Sequence, residues 1–345
     1  MRRHKSLARS FLAALRLPLN VCLLFGALAG TASAEQTAWE QWQHAPGIAD
    51  VGVRADGSLV AMAAGRLSTV GRDGLFTPFA AGPDGYSGVT PEAESYFVIA
   101  PAQAVDGAGC SFSADDLFVL DLTSPPGVAR VDPQGRASRF VTLPGVDTLG
   151  GIAMDTTGQF GYRLLVTGSH NSLTSVFSVD CNGASTRLTD SAPAVEGGLA
   201  VAPATFGQFA GALIAPDENS GQLWAIDSTG RASVVAVPNL PTGGDTGIES
   251  VGFVPPGFSA GGFAYLADRG TPNNPFPGTD SILRLSASAL LSAGVQDGDL
   301  LVSTEGNGAT VAVRCAATCS VIDAALGTSG GHIEGHILFV PDPLR

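Results

Sequence analysis

The strongest constraint on the fold is a pattern that occurs four times: a glutamate, six residues of strand-like character, then a proline. It reads Glu94-SYFVIA-Pro101, Glu196-GGLAVA-Pro203, Glu249-SVGFVP-Pro256 and Glu334-GHILFV-Pro341. Proline cannot donate to a sheet ladder, so each run is a short strand with a defined end. Repetition of a buried strand that begins on a carboxylate predicts sheets arranged radially, with their acidic ends meeting at one place.

The intervening residues supply the rest of each sheet. Residues 49–55, 58–63, 66–71 and 75–80 read as four strands, and Asp56-Gly57 and Asp73-Gly74 supply turns that tolerate positive φ. A second set runs over 94–143 and a third over 150–190. The fourth, 196–238, is the most regular: GGLAVA, GALIAPD, QLWAID and ASVVAVP. A fifth opens at Glu249 and continues through 262–268 and 281–286. Residues 299–325 align with the last three strands of the fourth set, although the inner-strand pattern at 332–341 follows them. Placing 331–340 in a closing sheet completed by an N-terminal strand near 39–43 seals the ring. The expectation is one domain, 35–345, with six four-stranded antiparallel blades closed by the N- and C-terminal strands.

The segment 46–80 resembles a blade of the NHL and gluconolactonase-like propellers, in the wider calcium-dependent-phosphotriesterase-like superfamily. The resemblance lies in a proline-glycine start, an inner strand, a DG turn, a second strand and a closing DG hairpin. It extends over most of the chain. Gluconolactonase-like relatives hold one divalent ion at the channel with acidic and amide ligands. The resemblance implies a metal-dependent hydrolase of a lactone or ester, with Glu196 and Glu249 at ligand positions and Asn219 or Asn171 as amide ligand. A complete Glu/Asn/Asp ligand set does not map onto this chain. Non-catalytic binding of a protein, glycan or small molecule on the loop face is the alternative, and a streptogramin-linearising lyase ranks third.

The first 34 residues carry Arg2, Arg3, Lys5, Arg9 and Arg16, an apolar run over 17–30, and Ala32 and Ala34 at the −3 and −1 positions of a cleavage site. That is the form of a secretory signal peptide, too short in its apolar run for a membrane span. Cleavage after Ala34 would leave no lysine and 13 arginines against 31 acidic residues, a net charge of −18. This excludes lysine nucleophiles and argues against nucleic acid or anionic membrane as partner. The predicted product is exported, unanchored and monomeric. Four cysteines remain beyond the leader, and in an oxidising compartment they read most simply as Cys315–Cys319 and Cys110–Cys181, with zinc binding the other reading.

The strand starts then define the candidate site. Glu94, Glu196, Glu249 and Glu334 would ring one end of the channel, with Ile48 and Leu149 at the equivalent places of the first and third blades. Crowded carboxylates either bind a cation or raise one another's pKa, and an oxygen-rich set with Asn219 favours Ca²⁺ or Mg²⁺. Loops after the second strands add Asp121, His170, Asn171, Asp217, Glu218, Asn219, Asp268, Asn273 and Asn274 on the same face; for Asp121 a turn role is the better reading. His332, Glu334 and His336 alternate along one strand, so their side chains are expected on one face, as metal ligands or as a general base with its partner. No Walker loop, nucleophile elbow or HExxH helix is present.

Overall fold

The computed structural model describes residues 37–79 and 94–341. The leader expected at 1–34 lies outside them. The strands assemble into six four-stranded antiparallel sheets, and the fold is a six-bladed β-propeller. The inner strands of blades I to IV are Ile48–Val53, Phe97–Ile99, Thr148–Met154 and Ala200–Val201. Blades V and VI begin from Ile248–Phe253 and Ile333–Pro341.

Burial explains why the second and third strands read as continuous apolar runs. Both faces of a blade pack against a neighbour, so alternate residues of one strand enter two different seams. In blade IV, Leu213 and Ala215 pack toward blade III, whereas Ile214 packs toward blade V. Six hydrophobic clusters result, one in each seam, including that between VI and I. Each fully buried leucine there is worth roughly 1.5–3 kcal/mol. At the outer hairpins, aspartates close the turns: Asp73, Asp132, Asp180 and Asp227 each accept a backbone N–H two residues on.

The ring closes within blade VI, where the C-terminal strand is innermost and the N-terminal strand Glu40–His44 is outermost. Gly262–Asp268 and Ser281–Ser286 lie between them. Ahead of its strand, the N-terminal segment is tied to blade V by Trp39 Nε1 donating to Thr310 Oγ1 at 2.8 Å.

One expectation is corrected. The hairpin at 262–286 does not belong to the blade that Glu249 opens: Ile248–Phe253 pairs with Leu300–Thr304, and Gly262–Asp268 pairs with Ile333–Pro341. The chain leaves blade V after its inner strand, builds two strands of blade VI, and returns through the helix Ala287–Ser292 to finish blade V. Order along the chain is a weaker guide to pairing than the sequence likeness between 299–325 and the outer strands of blade IV.

Both disulfides form as expected. Cys110–Cys181 spans 71 residues and links an insertion in blade II to a hairpin of blade III, and Cys315–Cys319 closes a turn in blade V. Among the described residues, no helix is long and apolar enough to cross a membrane.

Candidate functional site

The four repeated glutamates converge at one end of the channel, close enough that Glu334 acts electrostatically on Glu94, Glu196 and Glu249. Glu249 owes its position to a β-bulge. Ile248 pairs with Thr304 and Ser250 with Ser303, leaving Glu249 as the extra residue. The same bulge puts Ala49 and Gly150, rather than Ile48 and Leu149, at the equivalent places in blades I and III. Glycines of the repeat permit the close approach of inner strands: Gly198 N–H donates to Glu249 O at 3.0 Å, and a Cβ on Gly198 would collide with the Gly335 carbonyl.

Two further glutamates complete the cup. Glu218 and Glu305 directly follow the second strands of blades IV and V, and Arg269 follows that of blade VI. Of nine glutamates in the chain, six lie here. Glu218 was legible as a loop residue of this face, but Glu305 and Arg269 were missed. Their signal was the position after the second strand, which the likeness of 299–325 to blade IV carries for Glu305.

The floor of the cup is buried: Glu249, Glu334 and His332 are 3%, 2% and 2% exposed, and Glu305 8%. His332 Nε2 lies 3.2 Å from Glu305 Oε1 and 3.2 Å from Glu334 Oε1. One donor atom from each of Glu305, His332 and Glu334 lies within 4.8 Å of the others. Arg269 reaches Glu94 at 2.7 Å and Glu334 at 3.3 Å. Asp268 accepts the His332 backbone N–H at 2.8 Å and so fixes the strand that bears the histidine. Glu249 Oε2 and His332 Nδ1 are buried without a hydrogen-bond partner among the described residues.

Tyr96 Oη stands 3.0 Å from Glu249 Oε1 and 2.5 Å from Glu334 Oε2. A phenol has one hydrogen and can donate only once. Burial, then the charges of Glu334, Glu196 and Glu305, holds Glu249 well above the ordinary carboxyl range. Glu249 therefore carries a proton and donates to Tyr96, which donates to Glu334.

The same causes act around the rim. Loss of solvation, then Glu218, Glu94 and Glu334, pushes solvent-edge Glu196 up to about 7. Burial and then Glu334, Glu218 and Asp245 push Glu305 to about 9. Glu94 is raised chiefly by Glu334, and Glu218 by burial.

His336 does not join the cup. Gly335 has φ +66°, and the register slips between the partners of Tyr265 and Ala267, so a bulge breaks the alternation that would align His336 with Glu334. His336 instead seals the channel below. Its Nδ1 faces Asp50 Oδ2 at 2.9 Å and its Nε2 faces the Ile152 carbonyl at 2.9 Å. Both nitrogens meet acceptors, so both carry protons. Burial opposes that charge, but the Asp50 carboxylate and these hydrogen bonds outweigh it and raise the pKa of His336.

Asn219 is exposed and donates to Glu218 Oε1 at 3.1 Å. Asp121 and Asp217 cap turns, accepting from Thr123 and Ser220. His170 pairs with Asp147 and Asn171 at the surface, and Asn274 accepts from the Phe276 N–H within its own loop. Asn273 is likewise exposed.

No family profile matches the chain, and no curated protein does. Among solved structures, virginiamycin B lyase from Staphylococcus aureus is 12% identical, over 83% of this chain and 73% of its own, at a TM-score of 0.47. A gluconolactonase from Xanthomonas campestris is 14% identical, over 68% and 70%, at 0.41. A protein of unknown function from Bacteroides caccae is 12% identical, over 88% of each chain, at 0.45. The propeller assignment rests on the six sheets themselves.

Proposed function

We propose that the cup holds a divalent metal ion and that the chain, from residue 35 onward, is an exported single-domain hydrolase of a lactone or ester. The observation that carries this reading is the donor set of Glu305, His332 and Glu334, with the unpartnered Glu249 Oε2 buried beside it. The donors fit a metal: two carboxylates and an imidazole in one buried place suit a borderline ion such as Zn²⁺ or Mn²⁺. Ca²⁺, expected from the carboxylates alone, prefers an all-oxygen shell that His332 does not supply.

When bound, such an ion supplies Lewis-acid polarisation of a carbonyl and a more acidic bound water. The protein's own groups do the rest. Glu305, His332 and Glu334 hold the ion, and Tyr96 fixes the carboxyl of Glu334 that faces it. Glu196, with a pKa of about 7 at the solvent edge, is poised as a general base near neutral pH. Arg269 limits the repulsion between Glu94 and Glu334 and leaves the cup net negative, which favours a neutral substrate over an anionic one. His336, committed to Asp50 and Ile152, takes no part.

Elemental analysis of the purified protein tests the reading. A stoichiometric divalent ion is expected, lost in Glu334→Gln while the β-rich circular dichroism is retained. Chelation should abolish hydrolysis of a lactone panel, and Zn²⁺ or Mn²⁺ should restore it. The alternative is a non-catalytic ring, in which the Glu249–Tyr96–Glu334 hydrogen-bond chain is a brace across the channel. Folded protein that takes up no metal and hydrolyses nothing after supplementation would establish that alternative.

A further inference from the structure

At the end of the wheel opposite the cup lies a cavity of about 230 Å³ in the seam between blades VI and I. It exceeds the roughly 150 Å³ space that accepts a benzene ring. Its walls come from strand ends: the Gly57 turn and Arg72 of blade I, and Gly262 and Pro341 of blade VI. Three aromatic rings line it. Trp42 lies 5.1 Å from Tyr265 between centroids, tilted by 55°, and Phe263 lies 6.3 Å from Tyr265.

Two arginines share the cavity, and their situations differ. Arg284 stacks 4.8 Å above Phe263 and 6.0 Å from Trp42, and its Nε donates to Glu40 at 2.6 Å, so its charge is already met. Arg72 is exposed and makes no ion pair or hydrogen bond among the described residues. The Tyr265 hydroxyl, on the cavity wall, likewise makes no hydrogen bond among them. The cavity thus combines an aromatic shelf with a cation and a phenol that make no hydrogen bond among the described residues.

We propose that this seam cavity binds a small aromatic carboxylate, its ring on the Trp42, Phe263 and Tyr265 shelf and its carboxylate on Arg72 and the Tyr265 hydroxyl. The ring supplies stacking and the guanidinium a charge-assisted hydrogen bond to the anion. The site is separate from the cup and needs no metal.

Calorimetric titration of the full-length protein with phenylacetate tests the assignment, with phenylacetamide as neutral isostere and glucuronate as saccharide acid. Expected is saturable phenylacetate binding, about tenfold weaker for phenylacetamide and for Arg72→Gln, the loss of one charge-assisted contact. Tyr265→Phe should weaken it less, and Glu334→Gln in the cup should leave it unchanged. Arg72 is exposed, so Arg72→Gln is expected to fold, with circular dichroism as the check. The proposal is overturned by absence of saturation, by equal affinity in Arg72→Gln, by tighter binding of glucuronate than of phenylacetate, or by loss of binding in Glu334→Gln.

Discussion

Asp50 and Glu249 are both buried carboxyl groups on inner strands facing the axis, and the contrast between them separates scaffold from site. Asp50 accepts four hydrogen bonds, from the backbone N–H groups of Val51, Phe97 and His336 and from His336 Nδ1, each at 2.9 Å except the second His336 Nδ1 contact at 3.1 Å. Glu249 has one oxygen on Tyr96 and one without a hydrogen-bond partner among the described residues. A buried polar group without a partner costs about 1–3 kcal/mol, so a chain that satisfies one carboxyl fully and leaves another wanting has a use for the second. Burial alone would have ranked them together.

The largest expected effect breaks the satisfied pair. His336→Gln leaves Asp50 buried without its counter-charge and should cost about 3–5 kcal/mol in urea unfolding. If the Asp50–His336 pair is scaffold, any surviving folded protein still binds metal. Loss of metal with stability intact would reverse the assignment.

Next comes the support of the cup. Tyr96→Phe removes the hydroxyl that orients Glu334 and should weaken Zn²⁺ or Mn²⁺ binding by about 10–100-fold, measured by competition with a chelating dye. Calorimetry in buffers of different ionisation enthalpy should also show proton release on metal binding at neutral pH, because Glu249 and Glu305 hold protons in the metal-free cup. Uptake without release would mean that the proposed ligands are already ionised.

The dependence on pH sharpens the contrast further. Glu196 and Glu305, ordinarily near 4.5, titrate at about 7 and about 9 in the folded chain. Between 4.5 and those values the folded chain binds more protons than the unfolded one, so metal-free stability must fall as pH rises. His336 adds the same sign above its ordinary 6.5, its contribution being lost as pH rises through the raised folded value. Glu305→Gln should remove the part due to Glu305 and leave the parts due to Glu196 and His336, read as melting temperature against pH.

The smallest expected effect is on stability in Glu249→Gln: a neutral amide replaces a protonated carboxyl and can still donate to Tyr96 Oη, so urea unfolding of the metal-free protein should change by less than about 1 kcal/mol while the metal site weakens. Destabilisation beyond that would place Glu249 with the scaffold.

The repeat made the wheel and four of the six cup glutamates legible, because a charged residue at a fixed place in a repeated strand needs no tertiary information. Glu305 stayed hidden because its blade is interrupted by 262–286, which breaks the local order. Tyr96 and Asp50 read as ordinary strand residues, since what distinguishes them is which partner lies across the axis. The His332, Glu334 and His336 alternation held for the first pair and failed at Gly335, where a bulge reverses the direction of the next side chain. The turn roles of Asp56, Asp73 and Asp121 were legible, as their hydrogen bonds are local, whereas Asp217, read as a residue of the site face, caps a turn as well.

The exchange of strands between blades V and VI couples those two sheets into one unit. Neither can open alone, so amides in 248–253 and 333–341 should exchange with solvent together, at a common rate. Glu334 lies on the last described strand in chain order, and His332 directly precedes it. If the cup holds an ion as proposed, a growing chain is inert toward metal until that strand's sheet is in place, and capture of the ion reports that folding is finished.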